Sequence, residues 1–224
     1  MNNIGIVKES SLHRDLKFRY SEPGNTEITR GNYVCDGQTR DGELIEVQTG
    51  SFGPLREKVK KLTNNEKIRI IYPIIVSKYI ELYDINGKLS RKRKSPQKGC
   101  AWDLFKVLLY APELSINLRV TLELVFLDIL EKRKNDGKGS WRRRGVTIQD
   151  RIPLSLHKTI ILKELNDYNQ FLPIEKETFT VKDLGDSAGI SRILARKCLY
   201  VLEKINVTER VGKQGNALVY KKKR

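Results

Sequence analysis

The stretch Tyr33-Val-Cys-Asp-Gly-Gln-Thr-Arg-Asp-Gly-Glu-Leu-Ile-Glu-Val-Gln-Thr-Gly50 decides how this chain is read. Asp36 closes one apolar run, Asp41-Gly42 marks a hairpin turn, and Glu46 returns on the next run with Gln48 two residues beyond. Alternate residues of a strand face the same side. Glu46 and Gln48 are therefore expected to project together, with Ile45 and Val47 buried behind them. If the strand ending at Asp36 pairs alongside, two carboxylates and an amide meet at one spot. Oxygen-rich pockets of this kind hold magnesium, and a divalent ion beside a phosphodiester is a recurrent means of hydrolysing nucleic acid. Two carboxylates with no ion between them repel, so one is expected to protonate.

The net charge of +16 and the pI near 9.8 call for a polyanionic partner. Nucleic acid fits best, because phosphate contacts dominate such binding. No apolar run reaches the ~20 residues that span a bilayer, and residues 1–9 lack the long apolar stretch of a signal peptide. No membrane partner is expected. Cys35, Cys100 and Cys198 are odd in number, far apart and without metal-ligand spacing. Buried free thiols in a reducing cytoplasm are the simplest reading. His13 and His157 are the only histidines, which excludes a His-rich zinc centre.

Outward from the opening stretch, residues 10–20 read as a short helix capped by Ser10 or Ser11, with Leu12, Leu16 and Tyr20 at helical spacing. Residues 26–36 are rich in strand formers and broken at Gly31. Pro54 opens a helix to Leu62, with Leu55, Val59 and Leu62 on one face. Residues 68–76 suit a strand buried on both faces, and residues 79–83 with Asn86-Gly87 suggest a further strand and a reversal. Arg91-Lys-Arg-Lys94 is either a solvated hairpin or a phosphate contact. Residues 101–110 look helical. Residues 118–126 alternate well enough for a strand, with a helix as the alternative. Asn135-Asp136-Gly137 is a turn, followed by Trp141-Arg-Arg-Arg144.

The C-terminal end is clearer. Thr180-Val-Lys-Asp183 has the shape of a capping box. A short helix then meets Gly189, Ser191 caps a second helix, and a hairpin follows. Helix, turn, helix, hairpin is the order of a winged helix-turn-helix.

With these pieces in place, the N-terminal half resembles the PD-(D/E)XK nuclease superfamily, over about the first hundred residues. The matching parts are a leading helix with Glu9, an acid at a strand end (Asp36), the run Glu46-Val47-Gln48, and the helix and buried strand that follow. The resemblance implies an α/β fold, a mixed-sheet αβββαβ nuclease-like core over residues 1–115. Residues 116–172 would be a connecting hairpin and helix region with a basic tip, and 173–224 a winged-helix DNA-binding domain. It also implies that Asp36, Glu46 and the Val47 carbonyl hold Mg²⁺ or Mn²⁺, with Glu9 as an outer ligand or orienter. Gln48 stands where the superfamily usually has Lys. An amide both donates and accepts hydrogen bonds and so can orient a water, but it carries no full charge. Arg56 or Lys58 on the next helix could supply that charge.

The expected activity is metal-dependent hydrolysis of DNA. A homodimer suits two cuts on a duplex. Contacts to DNA are expected from Arg192, Arg196 and Lys197 on the second C-terminal helix, from Lys213 and Gln214 at the wing tip, and from Arg142, Arg143 and Arg144. Trp141 beside them either stacks on a base or packs against an arginine. His13 and Arg14, on the first helix near Glu9, could touch a phosphate, with a surface or packing role for His13 as the alternative, and Glu27 could face the site from an early strand. The alternative function is a nuclease-like DNA-binding protein, a regulator or architectural factor, that does not cut.

Overall fold

A computed structural model describes residues 9–173 and 176–223. Helix α1 (Ser11–Tyr20) starts at Ser10, whose hydroxyl accepts the His13 backbone N–H at 3.3 Å. This satisfies one of the N–H groups that a helix start leaves open. Strands β1 (Thr26–Arg30) and β2 (Tyr33–Gln38) form a hairpin that reverses at Gly31, where φ is +57°. A second reversal at Gly42, φ +84°, leads into β3 (Leu44–Val47), antiparallel to β2. Left-handed backbone of this kind is where glycine is favoured over other residues.

Helix α2 (Leu55–Leu62) buries Leu55, Val59 and Leu62. Strand β4 (Ile68–Tyr83) is a single 16-residue strand with a bulge between Ile75 and Ser77. The two strands read from the sequence over this region are one. Pro73 sits inside it, on a stretch of edge with no strand neighbour between the pairing with β3, which ends at Val47↔Ile71, and the pairing that begins at Tyr79. The Ile71 and Ile75 carbonyls both point to that open edge, where they accept from Gln48 N and Gly99 N. Residue 73 shares their direction, so its missing N–H removes no ladder bond.

Strand β5 (Leu89–Lys94) folds back on β4. Residues 101–110 form a 3₁₀ turn (Ala101–Leu104) and one α turn, α3 (Phe105–Leu108), instead of one helix. Strands β6 (Val120–Asn135) and β7 (Val146–Leu162) make a long antiparallel hairpin. Then come β8 (Thr178–Thr180), α4 (Val181–Ala188), α5 (Arg192–Lys204), β9 (Thr208–Gln214) and β10 (Ala217–Lys222). Thr180 and Asp183 cap α4 reciprocally, at 3.2 and 2.8 Å, and Gly189 ends it at φ +62°.

The chain is thus mixed α/β. A seven-stranded mixed sheet runs β1-β2-β3-β4-β6-β7 with β5 on β4, and a three-stranded sheet runs β8-β10-β9. Residues 116–172, read from the sequence as a connecting region, supply β6 and β7 to the same large sheet as residues 26–94. One face of that sheet carries α1, with Leu12 and Leu16 against Ile45, Val47, Ile71, Val125 and Leu127. The other face packs on α2, α3 and the C-terminal helices in one continuous core, with Leu44, Ile70 and Leu124 on the sheet side and Phe105, Phe171 and Leu199 opposite. Cys35 and Cys198 are buried free thiols and Cys100 is half-buried. Among the described residues, no helix is long and apolar enough to cross a membrane.

Candidate active site

The β2–β3 ladder stops at Gly37↔Ile45, and beyond this point the strands part. Asp36 fills the gap. Its Oδ2 accepts the Val47 backbone N–H at 2.7 Å, a bond that a ladder carbonyl would otherwise make. Gly37 lets the chain pass close to the end of α1, since a Cβ there would lie 1.8 Å from Ser21 Oγ and 2.7 Å from Ser21 Cβ. The sequence therefore builds a notch beside β3, with a carboxylate held in it by main chain.

Helix α1 crosses above the notch. Its N-terminus is moored to the far edge of the sheet, where Ser11 donates its N–H (2.8 Å) and its hydroxyl (2.5 Å) to Asp150 on β7. Glu9, His13 and Lys17 follow at one-turn spacing. His13 Nδ1 lies 2.5 Å from Glu9 Oε1, and its Nε2 lies 3.3 Å from Asp36 Oδ2. Lys17 reaches Glu9 at 2.9 Å and Glu27 at 2.5 Å. Glu27 takes a left-handed backbone conformation, φ +54°, uncommon for a residue with a side chain. One ligand atom from each of Glu9, His13 and Asp36 falls within 4.8 Å of the others, close enough to hold a metal ion.

Glu46 leaves β3 toward α2, where Lys58 Nζ meets its Oε2 at 2.5 Å and also donates to the Val34 carbonyl at 2.7 Å. Both side chains are mostly buried. Gln48 does not extend toward the carboxylates: its Nε2 donates to Ser51 O at 2.5 Å and closes the loop after β3. Ile45 and Val47 are buried as the alternation requires. Arg56 is held by Glu113 on the outer side of α2, so of the two candidate cations on α2 it is Lys58 that enters the site.

The charges in the site act on one another. The hydrogen bond that His13 donates to Asp36 lifts the His13 pKa to about 9, with help from Glu9 and against the opposing effect of burial. Burial works to raise the Asp36 carboxyl, but His13, the Val47 N–H and Lys58 together hold it below the usual range. Burial also pushes Glu9 up, and the hydrogen bonds from Lys17 and His13 reverse that. Glu46 is raised, first by burial and also by the Asp36 charge, while Lys58 pulls it back. The carboxylate expected to protonate more readily is therefore Glu46, and the repulsion from Asp36 contributes to that.

The remaining sequence-derived candidates lie on other surfaces. Arg142, Arg143 and Arg144 are exposed in the β6–β7 connection, where Arg143 donates to Val146 O at 3.2 Å and the Arg142 guanidinium stands 5.7 Å from the Trp141 ring. Arg192 and Arg196 are exposed on α5 and line a cleft of about 460 Å³ with Lys182, Tyr200, Arg210 and Tyr220. Lys197 is half-buried, and Lys213 and Gln214 are exposed at the end of β9. His13, read from the sequence as a phosphate contact or a packing residue, pairs with Asp36 and Glu9, and Lys17, which was not singled out, completes the site. Their spacing from Glu9 was the signal.

Residues 10–163 match the family described as "Domain of unknown function (DUF8091)", and the chain belongs to that family. It is also similar to an "Uncharacterized protein" of Treponema pallidum (strain Nichols), 26% identical over 221 residues, which cover 98% of this chain and 87% of the relative. No solved structure matches.

Proposed function

We infer that this protein is a metal-dependent DNA endonuclease of the PD-(D/E)XK type, with residues 178–222 acting as a winged-helix DNA-binding unit. The observation that carries the reading is the notch: a carboxylate pinned by main chain between diverging strands, with a Glu–His pair from the leading helix aimed at it. The donor set fits a divalent cation, because carboxylate oxygens, and an imidazole nitrogen once His13 has given up a proton, are ligands that Mn²⁺ accepts and Mg²⁺ partly shares. Asp36 and Glu9 would hold it with the Val47 carbonyl, and Glu46, which is paired with Lys58 and lies outside the Glu9–His13–Asp36 group, would join the oxygen side only on leaving Lys58. Once bound, the ion would polarise the scissile phosphate and acidify a water.

The chain's own residues do the rest. Asp36 is oriented before any substrate arrives by its bond to Val47. Lys58 brings positive charge to the flank of the site where the superfamily has a strand lysine, and is positioned to meet charge developing on the phosphate. His13 sets a positive charge between the Glu9 and Asp36 carboxylates. On the DNA side, α5 would enter the major groove with Arg192 and Arg196 forward, and β9–β10 would reach an adjacent groove through Lys213 and Gln214.

A second reading, a DNA-binding protein that does not cut, is favoured by Gln48, whose amide is committed to Ser51. The two part on a cleavage screen over supercoiled, linear, branched and single-stranded DNA with Mg²⁺ or Mn²⁺. Metal-dependent products lost in Asp36→Asn support the first reading. A footprint without products selects the second.

A further inference from the structure

The densest exposed positive charge lies away from the site, at the far end of the long strands. Strands β4 and β6 run parallel and in register as far as Tyr83↔Lys134, so the turn after β4 and the β6–β7 connection leave the sheet side by side. All six residues of β5 are exposed, residues 91–94 among them. Residues 142–144 stand exposed on the neighbouring tip, with Trp141 83% exposed.

The acids at this end are already used. Glu131, 1% exposed, holds Arg133 and Arg151. Glu81 takes Lys92 and Tyr83. Asp84 and Asp136 accept backbone N–H bonds in their own turns. Among the described residues, Arg91, Arg93, Lys94 and residues 142–144 pair with no carboxylate. Like charges gathered in this way repel and weaken the fold, and the ring contacts of Lys94 and Arg142 and the bond from Arg143 to Val146 O leave their charges unneutralised.

We propose that these two hairpins form an arm that lies along the phosphate backbone of duplex DNA to one side of the candidate site. From Ile70, the partner of Glu46 in the ladder, to Tyr83 the strand covers about 40 Å, which matches about twelve base pairs at roughly 3.4 Å each. The cations run back from the tip to Lys94, which pairs with Tyr79. A rod-shaped polyanion meets charge spread along a strand, whereas a flat membrane surface would meet only the tip. Trp141 at the end offers a face on which an unpaired or unstacked base can rest. The inference rests on nucleic acid being the partner and does not depend on cleavage.

The test uses the full chain in EDTA, so that cutting plays no part. Fluorescence anisotropy is read on labelled duplexes of increasing length for the wild type and for the triple variant Arg91→Gln, Arg93→Gln, Lys94→Gln. The expected result on long duplexes is about tenfold weaker binding near physiological salt. The slope of log affinity against log salt should be shallower by about two to three, close to 0.9 per lost phosphate contact. The difference should vanish on duplexes too short to reach the arm. Equal affinity and equal slope on long duplexes would overturn the proposal, as would binding of anionic phosphatidylserine vesicles through these residues with none to duplex.

A second measurement needs no variant. Acetylation of the wild-type protein with and without duplex should show protection of Lys88 and Lys94, and full reactivity of both in the complex would sink the arm. A protein that cuts no DNA yet shows these effects loses the nuclease reading and keeps the arm. One that cuts normally with an inert arm does the reverse.

Discussion

His13 Nε2 lies 3.3 Å from Asp36 Oδ2 while its Nδ1 lies 2.5 Å from Glu9 Oε1, so a single imidazole joins the leading helix to the notch between β2 and β3. Donating on both sides requires both ring nitrogens to carry protons, and the pKa of about 9 follows from that pairing. The imidazolium thereby ties Glu9 and Asp36 together across the gap between α1 and β2.

The pH dependence of stability follows from the direction of these shifts. The His13 contribution is fully present below its ordinary value of 6.5, declines above it, and is lost as pH rises through about 9. Asp36 and Glu9, held low, contribute above their ordinary values and lose that contribution in acid. Urea unfolding without metal should show stability falling by on the order of 2 kcal/mol between pH 6.5 and 9, with the slope flattened in His13→Gln. An unchanged slope in that variant would contradict the pairing.

Lys58→Met should leave Glu46 mostly buried without its counter-charge. The expected loss is about 1–3 kcal/mol at pH 8, less than for a fully buried pair because both groups keep some solvent. The loss should shrink as pH falls through the raised Glu46 pKa, since the neutral acid needs no partner. Adding Glu46→Gln should recover much of the stability, and the double-mutant cycle measures the coupling. A Lys58→Met variant as stable as wild type at every pH would show the contact to be dispensable.

Gly37→Ala is expected to destabilise by about 1–3 kcal/mol, because the added methyl collides with the Ser21 side chain and must push β2 from the end of α1. Ser21→Gly in the same chain should restore most of it, as thermal melts would show. Without that rescue, the Ser21 side chain is not what fixes the glycine, and the Asn25 carbonyl, 3.0 Å from the same Cβ, is.

Arg192→Ala and Arg196→Ala should each weaken duplex binding and lower the salt slope by about one, if each contacts a phosphate. Melting temperature should hold, since both side chains are exposed. Unchanged affinity would assign the α5 cleft to a partner other than DNA.

Much of this architecture is written in local chemistry. The cap at Ser10, the Thr180–Asp183 box and the glycine turns at 31, 42 and 189 act over a few residues and are readable as such. The full length of β4 was not, because Ser77 and Lys78 interrupt the apolar run at the bulge while parallel pairing with β6 carries the strand through. The same long-range pairing places β6 and β7 in the large sheet, which no pattern within residues 116–172 discloses. In the site, alternation located Glu46 and the buried Ile45 and Val47. The contact of His13 with Asp36 joins α1 to a gap that exists only once the β2–β3 register is set, and no spacing in the sequence encodes it. Gln48 was read as facing the carboxylates. The loop after β3 offers it the Ser51 carbonyl instead.

The most direct test of the cleavage reading compares wild type with Asp36→Asn on supercoiled and branched DNA, with Mg²⁺, with Mn²⁺ and in EDTA. Asparagine keeps an acceptor for the Val47 N–H, so the notch should stay folded while its charge is lost. Products are expected for the wild type only with metal, and a rate lower by at least about a hundredfold in the variant, the order expected when a group that stabilises charge in the transition state is removed. Wild-type protein that leaves every DNA form intact with both metals, or a variant that cuts as fast as wild type, would contradict that reading.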